Sequence, residues 1–221
     1  MKYFTKSIIL FTLALFTSIN ITNTATAKTK ALSKNNTSVI SQSVKLNNTN
    51  IIPGKQVGLI TKKTKKADLA KIFGASSLKD ETTSFFGGDA EFPGTNINLG
   101  KERSLTVLWK DKSRTKIHGV IIVDPKFKTT DGIGVGTTLN TLRQKFGEFQ
   151  LSGFGWDYGG LPRIKSNKLK GITLRLGIDD KLAEKYRDDS LAVSGDQELS
   201  SKDPRLQRLN IQVYSVIFFF N

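Results

Sequence analysis

The chain has 221 residues, and its 34 Lys and Arg against 19 Asp and Glu give a formal net charge of +15 at pH 7. It contains no cysteine and a single histidine, His118. These counts exclude a disulfide scaffold, a thiol nucleophile, a lipid-modified N-terminal cysteine and metal sites built from Cys or His clusters. The length is sufficient for one or two small domains with a hydrophobic core.

Residues 1–27 have the organisation of a signal peptide. Lys2 and Lys6 precede the apolar run Ile8–Phe16, and Ala25–Ala27 fits the small-x-small rule for a cleavage site. The alternative is an uncleaved membrane anchor, but the apolar run is about half of the ~20 residues that a spanning helix needs. We therefore expect an exported chain, periplasmic or secreted, and the absence of cysteine fits a bacterial envelope.

Residues 28–50 show no hydrophobic period and are predicted to be a flexible basic linker. From position 28 to position 79 the chain carries eleven lysines and one acidic residue, Asp68. Such a region either contacts an anionic surface or serves as a hydrated tether. No aromatic residues alternate with the lysines, which argues against a nucleic-acid platform. The candidate contact residues are Lys62, Lys63, Lys65 and Lys66.

A weak internal repeat predicts two related units, residues 51–125 and 126–221, within one compact domain. Each unit opens with a Thr that could cap a helix, an apolar Leu/Phe pair four residues apart on one helix face, and a Gly that could end the helix. The repeated residues are Thr64, Leu69, Phe73 and Gly74 in the first unit and Thr137, Leu142, Phe146 and Gly147 in the second.

Strand-like segments follow each predicted helix, which favours an α+β fold with short helices on one face of an antiparallel sheet. The apolar C-terminal segment is expected to be a buried strand in the middle of that sheet. Residues 181–187 predict a further helix and residues 188–204 a polar loop. The predicted strands are residues 82–86, 104–109, 117–123, 149–158, 171–178 and 208–220.

Several motifs between Gly58 and Leu176 resemble a family of exported bacterial proteins of uncharacterised function, and the most specific of them is GFGWDYGG at residues 153–160. More remotely, the paired helix-and-sheet units resemble the tandem repeats of β-lactamase inhibitor proteins and of small outer-membrane assembly lipoproteins. These resemblances imply a binding or scaffolding module, not an enzyme. The chain lacks the lipoprotein cysteine, so membrane anchoring does not carry over.

Residues 153–160 are also the candidate ligand site. If this segment is a strand, Trp156 and Tyr158 share one face and Asp157 lies on the other. Two exposed aromatic rings beside a carboxylate could stack on a sugar ring or on a side chain of a partner protein. The alternative is a glycine-kinked segment whose aromatic side chains fill the core.

His118, the glycines of residues 132–136 and two acidic pairs are expected to have structural roles and not catalytic or metal-binding ones. His118 has no Gly-x-Ser-x-Gly nucleophile motif to act with. The glycines of residues 132–136 lack the preceding strand of a dinucleotide loop, so a turn before a helix is expected and no cofactor is predicted. The acidic pairs Asp179-Asp180 and Asp188-Asp189 lack calcium-ligand spacing, and no metal site is predicted; the first pair is expected at a helix start.

The leading hypothesis is a non-enzymatic binding or envelope-associated protein whose partner is a protein or an anionic envelope component, with peripheral membrane contact included. One alternative is a hydrolase of envelope glycans that uses Asp157 and a second carboxylate. Another is an inhibitor of a secreted hydrolase, which rests on the remote resemblance of fold alone.

Overall fold

The computed structural model describes residues 48–84 and 90–220, so the predicted signal peptide and nearly all of the predicted linker lie outside the described residues. In chain order the elements are β1 (Asn50–Ile52), β2 (Gln56–Val57), β3 (Ile60–Thr61), α1 (Lys66–Phe73), β4 (Leu78–Ser84), β5 (Glu91–Asn98), β6 (Ser104–Trp109), β7 (Ile117–Ile122), β8 (Lys128–Thr129), α2 (Leu139–Phe146), β9 (Gln150–Ser152), β10 (Ile172–Gly177), α3 (Asp180–Lys185), α4 (Arg187–Ala192), β11 (Glu198–Ser200), α5 (Pro204–Arg208) and β12 (Gln212–Phe219).

The main sheet has six strands in the order β10-β12-β7-β6-β5-β4, and every neighbouring pair in it is antiparallel. A four-stranded sheet, β3-β2-β1-β8, contains one parallel pair, β1 with β8. A third sheet pairs β9 with β11. The predicted α+β class is therefore confirmed. No helix in the described part of the chain is long and apolar enough to cross a membrane.

The main core lies against one face of the six-stranded sheet. Alternating residues of β6 and β7 face it, with Leu105 opposite Ile122 and Val107 opposite Val120, and all four are fully buried. Leu69 of α1 belongs to the same apolar cluster, as do residues of α2 and α5. Alternating apolar residues form a strand with one buried face, and amphipathic helices cover that face.

The C-terminal strand β12 lies inside the main sheet, between β10 and β7. Its consecutive residues Val216, Ile217 and Phe218 are all buried, although they point alternately to the two faces. The expectation of a central, buried strand is met, and this placement explains why the apolar run does not alternate with polar residues.

The helices α1 and α2 bury Leu69, Phe73 and Leu142, whereas Phe146 is half-buried. Both helices end at a glycine with positive φ, +81° at Gly74 and +77° at Gly147. Only glycine adopts this conformation at low cost, as expected for a helix end.

The predicted caps, however, are wrong. Thr64 and Thr137 do not cap the helices; each accepts a hydrogen bond of 3.0 Å from the backbone N–H three residues earlier, that of Thr61 and of Gly134. The helices begin one residue later, and Thr138 caps α2 by accepting from the Thr141 N–H. Both corresponding threonines therefore close the turn before their helix.

The two predicted units share sheets in the structure. β12 pairs with β7, and β8 pairs with β1, whose first residue Asn50 precedes the predicted start of the first unit by one residue. Within residues 149–158 only β9 forms a strand, and the expected polar loop at residues 188–204 contains α4, β11 and the start of α5. The strand β5, which contains Pro93, was not predicted.

Candidate functional site

The segment 153–160 forms a turn against the end strand of the main sheet. The Leu176 N–H of β10 donates to the Gly160 carbonyl at 2.8 Å, and the Arg175 guanidinium donates to the Asp157 carbonyl at 2.9 Å. Because β10 is the last strand, an uncovered edge there would expose backbone groups to pairing with another chain. The segment therefore closes part of this edge.

Close backbone contacts explain several of its glycines. Gly160 has φ of +70°, and a Cβ there would overlap the Leu176 carbonyl oxygen. A Cβ on Gly153 would lie 2.5 Å from the Gly195 carbonyl oxygen. The GFGWDYGG pattern is thus suited to packing backbone against backbone.

The candidate ligand residues of this segment do not lie on a strand, contrary to the interpretation that paired Trp156 with Tyr158 on one face. The two half-buried rings meet edge to face at 5.6 Å, and the Trp156 indole N–H donates to the Gly153 carbonyl at 3.0 Å. Asp157 is exposed at the tip of the turn. The aromatic pair therefore stabilises the turn and presents only part of its surface to a ligand.

One aspartate of each acidic pair has a structural partner. Asp179 caps α3 by accepting from the Lys181 and Leu182 N–H groups at 3.0 and 3.1 Å, as expected. The Asp189 carboxylate accepts hydrogen bonds from Nε and Nη2 of Arg208 at 2.6 and 2.7 Å. The hydrogen bond from Arg208 lowers the pKa of Asp189. Within residues 48–84 and 90–220 no three His, Asp or Glu side chains form a group that could hold a metal ion.

His118 of β7 packs between two aromatic rings. It stacks on Phe92 with ring centroids 4.6 Å apart and meets the edge of Phe219 at 5.8 Å. Burial, and secondarily the charge of Lys110, lowers its pKa, so the imidazole is neutral at neutral pH. This environment suits a packing role for His118.

The glycine-rich residues 132–136 form the turn before α2. The Gly134 N–H donates to the Thr137 hydroxyl, and a Cβ on Gly134 would overlap the Phe127 carbonyl oxygen. Close packing against β8 therefore accounts for this glycine.

The four lysines predicted to contact an anionic surface divide into two groups. Lys62, Lys63 and Lys65 are exposed, whereas Lys66 is half-buried and its ammonium pairs with Asp80 of β4. Lys66 therefore helps to attach α1 to the sheet, and Asp80 neutralises part of its charge.

Asp80 is the centre of a polar network. It accepts from the Thr95 hydroxyl at 2.9 Å, the Arg114 guanidinium lies 3.4 Å away, and the buried Trp109 indole N–H donates to the same Thr95 oxygen at 3.0 Å. Burial raises the pKa of Asp80, but the hydrogen bonds from Lys66 and Thr95 and the charge of Arg114 outweigh it, so the pKa is lowered. Asp80 therefore remains ionised and neutralises part of the charge of two cations.

This network brings a second basic segment to the start of α1. The Lys66 N–H donates to the Arg114 carbonyl at 3.2 Å, which holds the turn between β6 and β7 beside the helix. The acidic residue of that turn, Asp111, accepts hydrogen bonds from its own turn, including one of 3.0 Å from the Lys116 N–H. We call the exposed lysines of the two segments the basic face: Lys62, Lys63, Lys65, Lys110, Lys112 and Lys116.

The sequence-based interpretation missed the second half of this face. Residues 110–116 contain three lysines, an arginine and one acidic residue, but this local pattern indicates only a polar turn. Their position beside α1 follows from the long-range contacts of Arg114 with Lys66 and Asp80.

The fold and these surfaces define an α+β protein with one partly covered sheet edge and a lysine-rich end. No protein-family model matches the chain, and no curated protein sequence matches it. The chain is similar to a crystal structure described as the uncharacterized protein yfeY from Escherichia coli. The two share 14% sequence identity over 76% of this chain and 98% of the other, with a TM-score of 0.47.

Proposed function

We propose that this chain is an exported, non-enzymatic protein of the cell envelope that binds anionic phospholipid headgroups through the basic face. The observation that carries the proposal is the hydrogen bond between the Lys66 N–H and the Arg114 carbonyl, because it unites two lysine-rich segments at one end of the fold. Six exposed lysines then contribute to one surface.

Among the described residues three aspartates lie close to this surface. Asp80 pairs with Lys66 and Arg114, Asp68 accepts from the Lys65 N–H, and Asp111 accepts from its own turn. The six exposed lysines still outnumber Asp68 and Asp111, so the surface keeps a net positive charge. Each lysine that reaches an anionic membrane surface contributes about 1 kcal/mol, and the attraction extends over roughly one Debye length. Binding is therefore expected to be peripheral and mainly electrostatic.

Export is the part of this proposal that rests on residues 1–27. Because Ala25–Ala27 fits a cleavage site, we expect the protein recovered from outside the cytoplasm to begin at Lys28. N-terminal sequencing of the exported protein checks this. Recovery of a chain that begins at Met1, wholly with the inner membrane, would contradict export as a cleaved product.

Salt-sensitive vesicle binding tests the basic face. We expect the protein to co-sediment with anionic phospholipid vesicles in low salt and not with neutral vesicles. Binding should weaken strongly between about 0.1 M and 1 M salt, as the Debye length falls from ~10 Å to ~3 Å. The triple variant Lys62→Gln, Lys63→Gln, Lys65→Gln should lose about 3 kcal/mol of binding free energy, or roughly 100-fold in affinity.

A matched control removes three exposed lysines elsewhere, through Lys165→Gln, Lys170→Gln and Lys181→Gln. It changes the net charge equally and should bind much more tightly than the first variant. Equal losses in the two variants would show that net charge alone drives binding. A truncated variant that starts at Asn48 lacks the lysines of the linker but keeps the basic face, and it should retain binding to anionic vesicles.

A further inference from the structure

A shallow cleft of about 300 Å³ lies at the end of the main sheet, beside the start of β12 and the ends of β7 and β10. It is distinct from the basic face, and no residue of the two sets is shared. Its walls come from elements far apart in the sequence: the segment after β7, the turn before α2 and the end of β10. The apolar wall residues are Val123, Pro125, Val135 and Ile178.

Tyr214, one of the residues that line this cleft, is largely exposed to solvent. Tyr214 of β12 is 60% exposed, although it lies near the start of a central strand. Gly177 of the neighbouring strand sits against it, and a Cβ there would lie 2.9 Å from the Tyr214 Cβ. The absence of a side chain at position 177 therefore lets Tyr214 lie directly against the backbone of β10, and most of the tyrosine surface stays exposed at the cleft.

The cleft has one charged lining residue, and it is acidic. Glu102 lies in the turn between β5 and β6 and is exposed. Its φ of +55° is uncommon for a residue with a side chain and carries a conformational cost. Within the described residues Glu102 forms no ion pair, so its carboxylate is available to a ligand.

We infer that this cleft binds a small organic cation, an ammonium group attached to a compact apolar body. The apolar walls would cover the body, while the Tyr214 ring and the Glu102 carboxylate both attract the cationic group. Glu102 is the one charged residue of the lining and would repel an anionic ligand; the Lys128 ammonium is bonded to the carbonyl of the lining residue Val135. The volume is at the lower end of the range for small-molecule sites, which favours a ligand the size of one aromatic ring with a short amine.

Three probes of almost equal shape separate charge from apolar contact: benzylammonium, neutral benzyl alcohol and anionic benzoate. Titration of the isotope-labelled protein should show amide shifts at Gly136, Gly177 and Tyr214 with benzylammonium at the lowest concentration. Benzyl alcohol should require a concentration about five- to tenfold higher. Equal affinity for the cation and the alcohol, or shifts confined to residues outside the cleft, would overturn the inference.

Single substitutions test whether Glu102 and Tyr214 attract the cationic group of the ligand. Glu102→Gln should weaken benzylammonium binding about fivefold and leave benzyl alcohol unaffected, because it removes charge and keeps shape. Tyr214→Ala should weaken the cation about fivefold, while Tyr214→Phe retains the ring and the affinity. Glu184→Gln, an exposed glutamate of α3, is the matched control and should change nothing. A Glu102→Gln protein that binds both probes as the parent does would refute the role of the carboxylate.

Discussion

Replacing Phe73 with alanine is expected to destabilise the protein by about 3–5 kcal/mol, the usual cost of emptying a buried aromatic position. Phe73 is 1% exposed, and it belongs to the cluster that joins α1 to the main sheet. Neighbouring side chains can refill such a space only in part, because the core is close-packed. Equilibrium unfolding in denaturant measures the loss.

The corresponding Phe146 provides an internal control. It occupies the same position in the predicted repeat but is half-buried at the end of α2. Phe146→Ala should therefore cost about 1–2 kcal/mol, since part of its surface contacts water in the folded protein as well. Equal losses at the two positions would contradict the burial described here, and a loss below about 1 kcal/mol at Phe73 would remove that residue from the core.

The second large effect is expected at Gly160, where alanine should cost about 3 kcal/mol. A Cβ would overlap the Leu176 carbonyl oxygen, and the φ of +70° adds strain for a residue with a side chain. To relieve the overlap the turn must move away from β10, which breaks the hydrogen bond from the Leu176 N–H. Leaving that donor unsatisfied adds to the loss.

Gly155→Ala separates the cost of a positive φ from the cost of overlap between the added Cβ and the backbone. Gly155 has φ of +81°, but an added Cβ would meet only side-chain atoms of Ser194, at 3.7 Å. We expect a cost of about 1 kcal/mol from the backbone conformation alone. Hydrogen exchange of the Leu176 amide should accelerate in Gly160→Ala and stay slow in Gly155→Ala. Unchanged exchange in both would show that the turn does not protect the edge of β10.

Gly160→Ala and Trp156→Ala together address the candidate ligand site. If residues 153–160 serve mainly to close the sheet edge, Gly160→Ala should lower the free energy of unfolding, whereas Trp156→Ala should leave ligand binding unchanged. The half-buried Trp156 and Tyr158 contact each other, and the indole N–H is already bonded to the Gly153 carbonyl. This local geometry explains the glycines and aromatics of the motif without a ligand.

Several elements were predictable from local pattern. The alternation Leu105, Val107, Trp109 predicted β6 with the bounds that the structure shows, because one face of that strand is buried. Gly74 and Gly147 marked the helix ends correctly, since a left-handed backbone at that position favours glycine. The unbroken run of apolar residues in β12 predicted a strand with both faces buried inside the sheet.

Other elements depended on partners far away in the chain. The strand β5 contains Pro93, which argues against a strand from local sequence. Pro93 is tolerated because it pairs only with Thr82 of β4, while pairing with β6 begins at Gly94. Of the predicted strand 149–158 only β9 forms, because the glycines that follow it let the backbone turn back against β10.

By itself the sequence determined the α+β class, the main amphipathic helices, the central apolar strand and the excess of lysine near the N-terminus. These depend on period, composition and the backbone freedom of glycine, which are local properties. Only the tertiary structure decided that Lys66 pairs with Asp80 and that residues 110–116 join the basic face. It also brought Glu102 and Tyr214 to one cleft. Such contacts join residues at least 14 positions apart in the chain. The register of sheet pairing that creates them is set by the packing of the whole core.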